Sequence, residues 1–245
     1  MSDVAVNQVS ADPASASDAA GEPRPHDWPS LDDAVHHGQR LFRQLLGAMA
    51  EPGTFAEIDL APLPEGVALS SAAWGALLAL CDLDSRVWIA EELNRDGLAE
   101  AIAFHTGART VTRAEEADFA LLTPQRCQTM PSFAGGSDSY PDRSTTLIVV
   151  LESLSEVVDK RCVAGNERWR LSGPGILDSR VLELNVTADA LMTRLAANRA
   201  GFPLGLDAIL TSAERLAAIP RSTRIERLSG ATSPDGSATP TEEDA

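Results

Sequence analysis

Leu31, Val35, Gly38, Phe42, Leu45 and Met49 recur at intervals of three and four, so the patterned part of the chain opens with one helical stripe. Ser30, with Asp33 three residues later, suits the start of that helix, and Pro52-Gly53 ends it. From Thr54 to Leu60 the period drops to two, which predicts a half-buried strand. Ser70 or Ser71 then opens a helix, Ala72 to Cys81, that is apolar on every side and must be covered all round. Arg86–Ala90 reads as a strand, Leu98–Phe104 as a helix stopped by Gly107, and Asp118–Leu122 as a strand. Pro124–Met130 reads as a short helix or turn.

The most strand-like run is Ser144–Leu151, where Leu147 to Leu151 form an unbroken apolar block rich in β-branched residues. Such a block belongs in a strand buried on both faces. Arg168–Leu171 and Arg180–Leu184 bracket the turn Ser172–Ile176. Thr187 is placed to cap a helix that runs to Arg199 and stops at Gly201 and Pro203. Leu206–Leu210 and Ser222–Arg227 read as the last two strands. Strands and helices interleaved at this spacing predict an α/β domain whose mixed sheet is covered on both faces.

Composition changes the picture at the ends. Of the net charge of −16, residues 1–30 carry five acids against one Arg, and residues 229–245 carry four acids and no base. Both segments are rich in Ala, Ser, Asp, Pro and Gly, so residues 1–29 and 229–245 are expected to be disordered acidic tails around a single domain at 30–228. An acidic chain repels nucleic acid and anionic membranes, which removes both as bulk partners. The longest apolar run, Ala72 to Cys81, falls short of the roughly 20 residues of a membrane span. Three widely spaced cysteines, Cys81, Cys127 and Cys162, fit free thiols in a reducing, cytoplasmic compartment.

Candidate chemistry is sparse. Lys160 is the only lysine, set in the charged run Asp159-Lys160-Arg161, a poor setting for a Schiff-base amine. The glycines of Ser172-Gly173-Pro174-Gly175 precede a strand, not a helix, so a strand–turn–strand reading outweighs a phosphate cradle, though a backbone anion nest stays open. His36 and His37 are helix neighbours that cannot share one ligand and fit a solvated face. His105 suits the negative end of its helix, with a catalytic role as the alternative. Tyr140-Pro141-Asp142-Arg143-Ser144 gathers an aromatic, two opposite charges and a hydroxyl in a loop before the central strand. It reads either as a binding element or as a solvated turn with a surface ion pair. Arg143, Arg199, Arg221 and Arg224 also stand in turn-like settings, suited to phosphate or phosphonate oxygens and equally to carboxylates across an interface.

Seven segments occur in order that together carry more information than any of these features. They are FRQLLGAMAEPG (42–53), FHTGA (104–108), ADFALL (117–122), YPDRSTTLIV (140–149), LSGPGI (171–176), NRAGFPLGLDAIL (198–210) and IPRSTRI (219–225). Together they resemble the PhnH family, a component of the bacterial carbon–phosphorus (C–P) lyase system for phosphonate degradation. The resemblance implies a three-layer α/β/α fold akin to the pyridoxal-phosphate-dependent transferases, without the cofactor. It implies a role with the G, I and L subunits in transferring the ribose triphosphate of ATP to methylphosphonate. It also implies a homodimer when isolated and docking onto a complex that includes the J subunit. The motifs carry over no catalytic residue. Tyr140, Asp142, Arg143, Ser144, Arg199 and Arg221 are the expected substrate or interface contacts, and ATP or a phosphonate within the complex is the expected small ligand. Two alternatives stand beside the subunit reading. One is a non-catalytic assembly module of the complex. The other is a free-standing enzyme with Asp142 as base and Arg143 or Arg199 as anion clamp.

Overall fold

Order in this chain is built on β-branched and aliphatic runs that pair in parallel. The computed structural model describes residues 23–157 and 165–228. The expectations for both tails beyond these bounds, for Lys160 and for Cys162 lie outside the described residues. The elements follow in chain order: α1 (His36–Ala50), β1 (Ala56–Glu57), α2 (Ser71–Leu80), β2 (Arg86–Ile89), α3 (Leu98–Thr106), β3 (Arg109–Val111) and β4 (Phe119–Leu122). They continue with β5 (Gly135–Ser137), β6 (Tyr140–Ser144), β7 (Thr146–Val150), β8 (Leu154–Glu156), β9 (Asn166–Ser172) and β10 (Arg180–Asn185). Last come α4 (Asp189–Gly201), β11 (Asp207–Ser212), β12 (Arg215–Ile219) and β13 (Arg224–Leu228).

Seven strands form one mixed sheet in the order β1-β12-β11-β7-β4-β2-β3. β11, β7, β4, β2 and β3 are parallel, and β12 alone runs against them. β7 takes the middle place, and its Leu147, Ile148 and Val149 are wholly buried. Successive side chains of a strand leave on opposite faces. Leu147 and Val149 therefore join one core, and Ile148 joins the other. Ala208, Ile209 and Leu210 of β11 divide in the same way.

Helices α1, α2 and α3 cover the Ile148 face. α2 is buried around most of its circumference, with Ala72, Ala73, Trp74, Ala76 and Leu77 fully enclosed, and Ser70 caps it by accepting the Ala73 N–H. The Leu147 face is covered mainly by a second, antiparallel sheet, β13-β9-β10-β8, together with α4. Strands as well as helices thus form that covering. The reason is visible in Trp169, Leu171, Leu182 and Leu184, which alternate along β9 and β10 and turn one apolar face inward. The packed chain also includes residues ahead of Ser30: Trp28 is buried, with its ring centroid 4.8 Å from that of Trp74.

Several local expectations need correction. α1 begins at His36, not Leu31, and Asp33 rather than Ser30 accepts the free N–H groups of Val35 and His36. His37 does not lie on a solvated face. It is 3 % exposed, and Nε2 meets the carbonyl of Asp59 at 2.9 Å. The expected 54–60 strand shrinks to Ala56–Glu57. Thr187 does not cap α4, whose N-cap is Ala188; Asn185 Oδ1 instead accepts the Thr187 N–H. β12 falls where no strand was expected, because Arg, Leu and Ala are helix formers by propensity and burial against both cores overrides that preference. The last strand starts at Arg224, two residues later than expected.

Candidate functional site

The segment Tyr140–Ser144 is a strand, not a loop. It pairs as β6 with β5, and this small hairpin stands beside the amino end of β7. Gly136 makes the hairpin possible: its φ is +82°, and a Cβ there would lie 2.7 Å from the Pro141 carbonyl oxygen. Thr145 joins hairpin to sheet, its N–H donating to Ala134 O (2.8 Å) and its buried hydroxyl to Ala117 O (2.7 Å).

Arg221 is the clasp that holds the hairpin. It leaves the end of β12, and its side chain is only 14 % exposed. Its backbone N–H and Nε reach Asp207 Oδ1 at 2.8 and 3.1 Å, while Nη2 binds Asp207 Oδ2 and Ser144 Oγ and Nη1 binds Pro141 O. A planar fork of donors suits one buried carboxylate and two outer acceptors together. Ser144 and Arg221 are therefore engaged with each other and with the frame of the hairpin.

The remaining candidates face outward. Asp142, Arg143 and Ser144 line a cavity of about 500 Å³ at the amino ends of β2, β4 and β7, which Arg86 and Asp118 also line. Arg86 grips Asp118 with two hydrogen bonds of 2.7 and 3.0 Å, and that partner raises the guanidinium above its usual pKa. The guanidinium of Arg143 lies 4.1 Å from the centroid of the half-exposed Tyr140 ring. The surface ion pair of the alternative reading is not formed between Asp142 and Arg143, whose guanidinium lies over Tyr140 instead. Arg199, at the last turn of α4, lies over Phe202 with 5.6 Å to the centroid. Asn198 pins the following turn through Leu206 N and O, and Gly205 N–H donates to Gly135 O at 2.9 Å, joining that turn to the hairpin. All six sequence candidates thus belong to the amino edge of the sheet. Among the described residues, neither Arg143 nor Arg199 has an acidic partner.

At the carboxyl edge lies a constellation that sequence reasoning missed. Arg126 binds Glu92 Oε2 through Nη2 (2.7 Å) and Nε (3.1 Å), and Thr123 Oγ1 donates to Oε1 (2.8 Å). Burial pushes the Glu92 carboxyl up, but the hydrogen bonds from Arg126, its own backbone N–H and Thr123 outweigh it and hold it below the ordinary value. Glu92 and Arg126 are 34 residues apart, so no local spacing signalled them. Asp207 was missed too, although a lone acid opening an apolar strand is itself a signal of a buried partner.

The amino-edge arrangement offers recognition groups: two cations over aromatic rings, an outward carboxylate and a polar cavity. Among the described residues, no His, Cys or Lys lines that cavity. Cys81 and Cys127 are free and buried, and burial pushes both thiols up to about 12. His105 closes α3, with Nε2 2.9 Å from Pro25 O and the ring against Trp74. Among the described residues, no group of His, Cys, Asp and Glu could hold a metal ion, and no helix is long and apolar enough to cross a membrane.

Comparison with known proteins bears on this geometry. The family model described as "Bacterial phosphonate metabolism protein (PhnH)" matches residues 29–226. The alpha-D-ribose 1-methylphosphonate 5-triphosphate synthase subunit PhnH of Rhizobium meliloti (strain 1021) is 35% identical over 198 residues, covering 80% of this chain and 93% of the relative. A protein of Stutzerimonas stutzeri named "Putative C-P lyase subunit protein HtxG" is 30% identical over 189 residues, covering 76% of this chain and 85% of the relative.

Proposed function

The chain belongs to the PhnH family of bacterial phosphonate metabolism proteins, and on that premise we propose that it works as the subunit that binds its companions through the amino edge of its sheet. The assembly is the alpha-D-ribose 1-methylphosphonate 5-triphosphate synthase named for the Rhizobium relative, within the carbon–phosphorus lyase system named for the Stutzerimonas relative. Within it, the chain acts in the cytoplasm with the G, I and L subunits and beside J, in transferring the ribose triphosphate of ATP to methylphosphonate. One observation carries the placement. Tyr140 and Phe202, each about half exposed, lie under arginines that have no acidic partner among the described residues, on a hairpin and a turn that are themselves rigidly tied. Aromatic and Arg side chains on a fixed base are the residue types enriched at binding hot spots. An acidic surface on a partner, or the phosphate oxygens of substrate held between subunits, complements Arg143 and Arg199.

The architecture of the pyridoxal-phosphate-dependent transferases, without the cofactor, is part of the same proposal. In support of it, one antiparallel strand stands in an otherwise parallel seven-stranded sheet with a covering layer on each face. Self-association of the isolated chain uses a different surface. Phe42 and Leu46 lie exposed on α1, with Val35 just ahead of it, beside a groove of about 640 Å³ that they help to line. A second copy of the chain covers this stripe. Phe42→Glu is expected to convert the dimer to a monomer in sedimentation experiments, and an unchanged dimer would move the contact elsewhere.

Deleting the gene is expected to abolish growth on methylphosphonate as sole phosphorus source while leaving growth on phosphate intact. The intact gene restores growth. Normal growth of the deletion strain on methylphosphonate would remove the proposal.

A further inference from the structure

In the strand order β11-β7-β4-β2-β3, the chain passes from β2 outward to β3 and then back across to β4. The carboxyl ends of β2 and β4 therefore flank a topological switch point, where open parallel sheets leave a crevice for ligands. Here two adjoining hollows of about 420 and 350 Å³ share Arg126 as a common wall. Neither involves the hairpin or the cavity described at the amino edge.

The chemistry of the crevice is selective. Glu92, itself held by the Thr123 hydroxyl, takes Nε and Nη2 of Arg126, so Nη1 is left as a donor without a hydrogen bond among the described residues. Glu91 comes within 3.9 Å of the same guanidinium and is 95 % exposed. Two carboxylates against one guanidinium give the site a net negative charge, which disfavours phosphate groups. Trp88, half-buried and braced edge-on by Phe133, walls one hollow, and Asn94 and Thr110 stand on its rim with their side chains unbonded among the described residues. A planar wall, one unbonded donor and nearby carboxylates match a heterocycle attached to a sugar. Carboxylates at a switch point are natural acceptors for ribose hydroxyls.

We propose that this carboxyl-edge crevice binds an uncharged nucleoside, its base against Trp88 and Arg126 and its ribose hydroxyls toward Glu91 and Glu92. Trp28, Trp74 and Trp169 are buried, so ligand-dependent fluorescence reports on Trp88. Titration of the full chain with adenosine is expected to give saturable quenching that Trp88→Phe removes. Calorimetry is expected to show adenosine binding about 10-fold weaker in Arg126→Gln, the loss of one hydrogen bond from a charged donor. Asn94→Ala, on the exposed rim, is expected to weaken it several-fold without touching the Glu92 pair. ATP is expected to bind more weakly than adenosine and to gain in Glu91→Gln, while ribose and inorganic phosphate give no heat. Absence of saturable adenosine binding, affinity unchanged in both Arg126→Gln and Asn94→Ala, or tighter binding of ATP or phosphate than of adenosine would overturn the proposal.

Discussion

The two edges of the central sheet solve the same physical problem in opposite ways. At the carboxyl edge, the polar groups beneath the crevice hold one another: Arg126 meets Glu92, and Ser70 Oγ donates to Thr211 Oγ1, which donates to Val149 O. At the amino edge, one buried clasp, Arg221 with Asp207, leaves Tyr140, Asp142 and Arg143 facing out on a rigid hairpin. Side chains held only by an aromatic neighbour contribute little to folding and keep their capacity to bind. The difference teaches that stability and recognition are separated here by one residue layer, with Arg221 beneath and Arg143 above.

The largest effect should come from removing that layer. Arg221→Met leaves Asp207 buried without its partner and is expected to cost about 3 kcal/mol in urea unfolding, the cost of breaking a largely buried ion pair. A loss below about 1 kcal/mol would erase the contrast between the edges. Next is Thr211→Val, which keeps shape but leaves the Ser70 hydroxyl without its acceptor. It should cost about 1–2 kcal/mol.

The cysteines report on each end separately. Cys81 lies toward Asp118 on the amino side, and Cys127 follows Thr123 on the carboxyl side. Burial raises both thiols from an ordinary 9.0 to about 12, so the folded state prefers them neutral. Their contribution is full below the unfolded value and is lost as pH rises from about 9 toward 12. In a Cys162→Ser background, a thiol-specific dye at pH 8 should label neither until urea is added. Rapid labelling of Cys81 alone would mean the amino edge opens more readily than its hydrogen bonds imply. Smallest in stability are Tyr140→Ala and Arg143→Ala, each expected within about 0.5 kcal/mol of the parent chain.

How much of the molecule is legible in its sequence follows from the range of each interaction. β7, α2, α3 and the Gly107 stop are readable because apolar period and a left-handed glycine act within a few residues. The hairpin is readable in composition but not in form, since Tyr140-Pro141-Asp142 looks like a turn until Gly136 folds back against it. β12 is hidden by its helix-forming residues. At the candidate site, the arginines stand out as a residue type, yet nothing local separates the clasp, Arg221, from the outward Arg143. That distinction depends on Asp207 and Ser144, 14 and 77 residues away. The same holds for Glu92 and Arg126, a pair made only when β2 and β4 lie side by side.

The central claim is that recognition by partner subunits resides at the amino edge. Its most direct test is the affinity of the purified Tyr140→Ala/Arg143→Ala double variant for the other subunits, measured beside the parent chain at equal, verified stability. A loss of at least about 30-fold, as two hot-spot side chains would produce, is the predicted result. Parent-like affinity in a fully folded double variant would contradict it.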